Sequence, residues 1–119
     1  MGLVDSLKLV GAGFAWRAFG PESAGRTLLQ STASNNEQDR MLAVIPLVKA
    51  GERTVDLIEA AAERGTLPTE GVRLLVDIGG ERSRELLSEF GSRPDELGEA
   101  ASESIETLRR REARRDSSP

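Results

Sequence analysis

The chain has 119 residues and a formal net charge of −4, so it has the length of one ordinary domain and no global attraction for nucleic acid or anionic membranes. It contains no cysteine and no histidine, which excludes disulfides, thiolate metal sites and a cysteine nucleophile, together with the commonest general base and metal ligand. Aromatic residues make up only 3%, so the core has to be built from aliphatic side chains, which suits closely packed helices.

The sequence predicts neither a membrane span nor a secretory signal. It has no run of roughly 18 apolar residues that could span a membrane, and the first residues lack the basic leader and small-residue cleavage pattern of a secretory signal. We therefore predict a cytoplasmic protein with no metal and no other cofactor.

The first helix is predicted over residues 2–19. Its apolar stripe has helical spacing and consists of Leu3, Leu7, Val10 and Phe14. We expect this stripe to pack against the rest of the chain. The alternative is a membrane-surface anchor with Trp16 and Phe19 in the interface, but its polar face carries too few basic residues for an anionic surface.

Six further helices follow, separated by glycine, proline and polar loops. The predicted ranges are 22–33, 38–50, 53–64, 70–78, 81–90 and 95–115. Gly51, Gly65 and the Gly79-Gly80 pair mark helix ends, since glycine adopts the left-handed conformation that closes a helix. In the helix over 38–50 we expect the apolar stripe to run through Met41-Leu42, Ile45, Val48 and Lys49-Ala50.

One pattern occurs twice, as LVKAGERTVDLI at residues 47–58 and LVDIGGERSRELL at residues 75–87. Each copy predicts the end of one helix, a glycine corner and the start of a second helix. Pairs of large aliphatics recur 29 residues apart, from 28 to 57 and from 57 to 86, and they are Leu28-Leu29, Leu57-Ile58 and Leu86-Leu87. A helical hairpin repeated at a constant period is typical of an α-solenoid.

The unit resembles a short HEAT repeat of the kind found in small prokaryotic scaffold proteins. The resemblance covers roughly residues 10–108 and rests on the glycine corners, the aliphatic pairs and small residues in the first helices, at Ala43, Gly71 and Ala101. The family's Asp-Pro after the corner is replaced by Glu-Arg. The resemblance implies an all-α fold of about three stacked hairpins with a C-terminal capping helix. Residues 1–108 would form this domain, and residues 109–119 an arginine-rich helix end and disordered tail.

The same resemblance implies a non-catalytic scaffold that binds another protein with the second helix of each hairpin. Acidic side chains on those helices form our candidate protein-binding strip: Asp56, Glu59, Glu63, Glu85 and Glu89. Such a strip would attract a basic partner. General acid–base catalysis by these carboxylates is not expected, because it needs a pocket that separates two pKa values and the strip is predicted to be exposed. We therefore predict that the chain is not an enzyme.

The second candidate site is the cluster of arginines near the C-terminus: Arg109, Arg110, Arg111, Arg114 and Arg115. Cations at a helix C-terminus are favoured by the helix dipole, which explains the cluster without a ligand. The alternative is contact with nucleic-acid phosphates, although the chain lacks the aromatic residues on which bases stack. A nucleic-acid-binding accessory protein and an auxiliary subunit of an enzyme thus remain alternatives to the scaffold.

Overall fold

The computed structural model describes residues 3–18, 20 and 22–117. These residues form seven α-helices and no strand, which confirms the all-α prediction: α1 (Leu3–Ala18), α2 (Glu22–Ser31), α3 (Glu37–Ala50), α4 (Glu52–Arg64), α5 (Thr69–Ile78), α6 (Gly80–Gly91) and α7 (Glu96–Ser117). The predicted residues Gly2, Phe19, Ser118 and Pro119 lie outside the described part of the chain, as does the side chain of Leu3.

Local sequence signals account for the helix boundaries. Asn36 caps α3, because its side-chain oxygen accepts a hydrogen bond of 3.2 Å from the backbone N–H of Asp39, as expected for this residue type at a helix start. Gly51 has a φ of 62° between α3 and α4, and Gly65 has a φ of 73° after α4. A side chain is strained at such angles, so glycine allows the chain to turn there.

The three aliphatic pairs of the repeat are all buried, as predicted, on α2, α4 and α6. Their exposed fractions lie between 0% and 6%. The small residues of the repeat, Ala43, Gly71 and Ala101, are buried as well. At Gly71 a Cβ atom would lie 2.6 Å from Leu67 and 3.2 Å from Leu29, so the absence of a side chain lets these leucines pack against the backbone of α5.

Helices contact both their neighbours in sequence and the helices two positions away. The alternate contacts join α1 to α3, α3 to α5 and α5 to α7, and on the other side α2 to α4 and α4 to α6. The core therefore runs through the described part of the chain, and α1 packs on α2 and α3.

Our prediction of which face of α1 is buried is wrong. Leu7, Val10 and Phe14 are 60%, 52% and 70% exposed, whereas Leu9 and Trp16 are 5% and 3% exposed. The packed face of α1 is completed by Gly13, which is buried against Pro46 of α3. Hydrophobic periodicity does not register glycine as a contact residue, although its small size is what permits α3 to approach.

A similar correction applies to α3. Met41 and Ile45 are 56% and 46% exposed, while Leu42 and Val48 are half-buried. The residues that α3 buries include Ala43 and Leu47, each with 0% exposure, and Pro46. Both α1 and α3 are therefore rotated relative to the prediction, and each turns large apolar side chains toward solvent.

Burial of Trp16 contradicts its placement in a membrane interface. The edge of its ring lies over Gly25 of α2, where a Cβ atom would be 2.6 Å from Trp16 Cζ3. Its indole N–H donates to Thr54 of α4. Trp16 is thus a core residue that connects α1 to two other helices.

The C-terminal helix is longer than its apolar stripe. Ala101 is fully buried, and Leu97, Ile105 and Leu108 are half-buried against α5 and α6. The helix continues through the arginine cluster to Ser117, so residues 109–117 of the predicted helix end and tail are helical. At its start, Asp95 accepts a hydrogen bond of 3.2 Å from the backbone N–H of Gly98.

Candidate protein-binding surface

A groove runs between α1 and α3 on the surface of the protein. Its volume is about 560 Å³, and it is lined by Leu9, Val10, Gly13, Phe14, Arg17, Leu42, Ile45 and Pro46. The groove exists because Gly13 and Pro46 face each other at the point where the two helices meet, whereas longer side chains stand on either side. Its walls are almost entirely apolar.

The groove belongs to a larger apolar face, which we call the α1–α3 face. It consists of the five large hydrophobic residues that are exposed within the described part of the chain: Leu7, Val10, Phe14, Met41 and Ile45. Three of these residues, Val10, Phe14 and Ile45, line the groove itself. Single exposed hydrophobics are common on soluble proteins, but several that line one groove are typical of an interaction site.

One end of the groove is basic. Arg17 lines it directly, and Lys49 lies one helical turn after Ile45, on the same side of α3. The two residues occupy the same end because the C-termini of α1 and α3 are adjacent: Arg53, at the start of α4, donates a hydrogen bond of 2.6 Å to the carbonyl of Trp16. Neither Arg17 nor Lys49 forms an ion pair with any described residue.

The acidic strip predicted from the sequence lies on α4 and α6, which contact each other. Asp56 and Glu63 of α4 are exposed, Glu59 is half-buried, and Glu85 and Glu89 of α6 are exposed. The acidic residues of α4 and those of α6 therefore lie on neighbouring helices.

The strip is of mixed charge rather than purely acidic. Arg82 of α6 reaches across to Asp56 with an N–O distance of 2.5 Å, and this hydrogen bond raises the pKa of the Arg82 guanidinium above its ordinary value. An arginine placed among the carboxylates reduces the attraction of the strip for a basic partner, because it neutralises part of its charge.

Several arginines of the second candidate site are engaged within the protein. Arg111 lies 3.4 Å from Asp77 of α5, and Arg110 lies 3.6 Å from Glu106, one turn earlier in α7. Each of these carboxylates competes with a nucleic-acid phosphate for the guanidinium. The observed pairs thus favour a structural role for the cluster, since Arg111 joins α7 to α5 and Arg110 pairs within α7.

The groove is the feature that sequence reasoning missed. A signal for it was present, since α1 carries a second apolar series at Leu9, Ala12 and Trp16 in addition to Leu7, Val10 and Phe14. A helix with two apolar faces that packs on only one side must expose the other. Which of the two is exposed depends on contacts with α2 and α3.

Other kinds of site are not indicated in the described part of the chain. Acidic side chains there do not gather into a group of three or more that could hold a metal ion. Among the same residues, no helix has the length and apolarity needed to cross a bilayer. Comparison with protein-family models, with curated proteins and with solved structures finds no match to this chain.

Proposed function

We propose that this chain is a non-catalytic scaffold that binds another protein through its α1–α3 face. The observation that carries this proposal is the exposure of five large hydrophobic side chains on two adjacent helices. Burying one such side chain stabilises a protein or complex by roughly 1.5–3 kcal/mol. A partner that covers the exposed parts of these side chains would therefore gain part of this free energy.

The helix contacts support a stack of HEAT-like hairpins as the architecture of this scaffold. Odd-numbered helices contact each other in order, and so do even-numbered helices, which is the pattern of contacts that a helical repeat array would make. The buried aliphatic pairs on α2, α4 and α6 fall at matching positions of the 29-residue repeat. In this architecture the α1–α3 face belongs to the layer of first helices.

The acidic strip offers a second surface for the same function, and the two surfaces can be compared directly. The tagged chain would be cross-linked in an extract of its source organism, and captured proteins would be identified by mass spectrometry. The groove variant combines Phe14→Ser with Ile45→Ser, two exposed positions at which substitution has little effect on folding. The strip variant combines Glu85→Gln with Glu89→Gln.

We expect a partner that the wild-type chain and the strip variant capture equally and that the groove variant loses. Circular dichroism and urea denaturation would show that both variants fold as the wild type does. If the groove variant captures the same proteins as the wild type, the α1–α3 face is not the binding surface. Loss in the strip variant alone would assign binding to α4 and α6 instead.

A further inference from the structure

We infer that the groove between α1 and α3 receives one amphipathic helix of a partner protein, and that this helix carries acidic residues in its first turn. The inference rests on the proposed function and adds the chemistry and orientation of the partner. It follows from the shape of the groove, from the charges at its end and from the direction of the two helices that form it.

The shape favours a helix over a small molecule. The groove lies along α1 and α3, which have 16 and 14 residues and are thus about 20–24 Å long. Val10 and Phe14 on its wall are 52% and 70% exposed, so a small ligand on the floor would leave them in water. A helix with apolar side chains three and four residues apart would cover both walls, as helices do in other hydrophobic grooves.

The shape also disfavours two other occupants. In a symmetric dimer through this face, the groove of one copy would meet the groove of the other, and two concave surfaces would leave the volume between them unfilled. A membrane presents a broad surface, whereas the groove is concave, and the basic residues at its end are Arg17 and Lys49, next to Arg53, whose guanidinium donates to the last turn of α1. Binding to an anionic surface takes more basic charge than this small group of side chains supplies.

The charges determine the chemistry of the partner. Arg17 and Lys49 have no ion-pairing partner among the described residues, and they stand beside this apolar groove, whereas the equally unpaired Arg109 and Arg115 of α7 do not. Carboxylates on the bound helix would supply the missing partners. Complementary charges of this kind contribute to specificity and to the rate of association.

The direction of α1 and α3 determines the orientation of the partner. Both helices end near Arg17 and Lys49, so their negative dipole ends lie at the basic end of the groove. A helix whose N-terminus lies there would run antiparallel to both, which is the favourable arrangement of dipoles. Acidic residues are also favoured in the first turn of a helix, so the acidic end of the partner is its N-terminal end.

The test uses synthetic helical peptides of about 16 residues, a fluorescent label and an anisotropy titration with the full chain. The first peptide has leucines at alternating spacings of three and four, glutamates in its first turn and glutamine elsewhere. The second has lysines in place of those glutamates, and the third has the glutamates in its last turn. We expect the first peptide to bind about tenfold more tightly than either of the others.

Matched variants assign the effect to the groove. Arg17→Glu combined with Lys49→Glu should weaken the first peptide about tenfold and strengthen the lysine peptide by a similar factor. Arg109→Glu combined with Arg115→Glu makes the same change of charge on α7 and should leave both affinities unchanged. Phe14→Ser combined with Ile45→Ser should abolish binding of every peptide.

Several results would overturn the inference. Equal affinity for the glutamate and lysine peptides would show that the partner helix need not be acidic. If none of the peptides binds, the groove does not receive a helix. If the wild-type chain sediments with phosphatidylserine vesicles and the groove variant does not, the groove binds a membrane instead. A dimer in sedimentation equilibrium that the groove variant dissociates would indicate a second copy. If the peptides fail while the groove variant still loses its cross-linked partner, the proposed function stands and only the chemistry of the partner is wrong.

Discussion

The indole N–H of Trp16 donates a hydrogen bond of 3.2 Å to the hydroxyl oxygen of Thr54, and both side chains are buried. Thr54 in turn donates a hydrogen bond of 2.6 Å to the carbonyl of Leu47 in the last turn of α3. One hydroxyl group therefore joins α1, α3 and α4. The residue one repeat later, Ser83, is equally buried, but its hydroxyl has no hydrogen-bond partner among the residues that the structure describes.

This difference predicts effects of different size for two similar substitutions. Thr54→Val keeps the volume of the side chain but leaves the N–H of Trp16 without an acceptor, which should lower the free energy of unfolding by about 1–3 kcal/mol. Ser83→Ala removes a buried hydroxyl that makes no hydrogen bond to a described residue. It should therefore lower the free energy of unfolding by no more than about 0.5 kcal/mol. Urea denaturation of both variants measures the two values. Equal losses would mean that the Trp16 hydrogen bond does not stabilise the fold.

Gly25 is expected to behave differently from an ordinary glycine in a helix. A Cβ atom there would lie 2.6 Å and 2.9 Å from two atoms of the Trp16 ring, so Gly25→Ala should cost about 1–3 kcal/mol through overpacking. Gly11 of α1 is the control, because a Cβ atom there meets nothing within 4 Å. Gly11→Ala should stabilise the protein by about 0.5–1 kcal/mol, since alanine favours helices. Thermal unfolding followed by circular dichroism would separate them, and a stabilising Gly25→Ala would contradict the packing of Trp16.

Asp95 provides a pH-dependent contribution at the start of α7. A hydrogen bond from Arg93 lowers the pKa of its carboxyl group below the ordinary value of 3.8, and the backbone N–H of Gly98 acts in the same direction. A lowered pKa in the folded state means that the stabilisation is fully present above the unfolded-state pKa and is lost as pH falls below it.

The substitution Asp95→Asn tests this directly, because asparagine also caps helices well but does not titrate. The variant should be less stable than the wild type at neutral pH, and the difference should disappear as the solution is acidified through the pKa of Asp95. Urea denaturation at a series of pH values measures this difference. A difference that stays constant with pH would mean that the charge of Asp95 contributes nothing.

Two arginines at equivalent positions of the repeat should differ in their dependence on salt. Arg53 donates to the carbonyl of Trp16 at 2.6 Å, and its guanidinium lies 5.8 Å from the centre of the Trp16 ring. Arg82 instead forms an exposed ion pair with Asp56. Arg53→Ala should lower stability by about 1 kcal/mol, and Arg82→Ala should lower it less, because exposed pairs contribute little.

Salt distinguishes the two variants further. Added sodium chloride screens an exposed ion pair, so the effect of Arg82→Ala should vanish at high salt, while most of the effect of Arg53→Ala should remain. Urea denaturation at low and high sodium chloride measures both. Loss of the Arg53→Ala effect at high salt would show that its role is purely electrostatic, rather than that of a cap on the last turn of α1.

The helices and their corners follow from local features of the sequence. Apolar residues at helical spacing, glycines with positive φ at residues 51 and 65, and the cap at Asn36 are local signals, and each acts over a few neighbouring residues. The aliphatic pairs at Leu28-Leu29, Leu57-Ile58 and Leu86-Leu87 were also correctly predicted to be buried. The helices α2, α4 and α6 that carry these pairs have one dominant apolar face, so each can bury it in only one orientation.

The choice of buried face in α1 and α3, and hence the position of the groove, depends on tertiary contacts. Both helices carry apolar residues on two sides, and their choice depends on Gly13 meeting Pro46 and on Trp16 reaching Gly25 and Thr54. The same is true of the charges: Asp56 pairs with Arg82 and Arg111 with Asp77, whereas Arg17 and Lys49 remain beside the groove. These relationships join residues that are distant in the chain, and local periodicity carries no information about them.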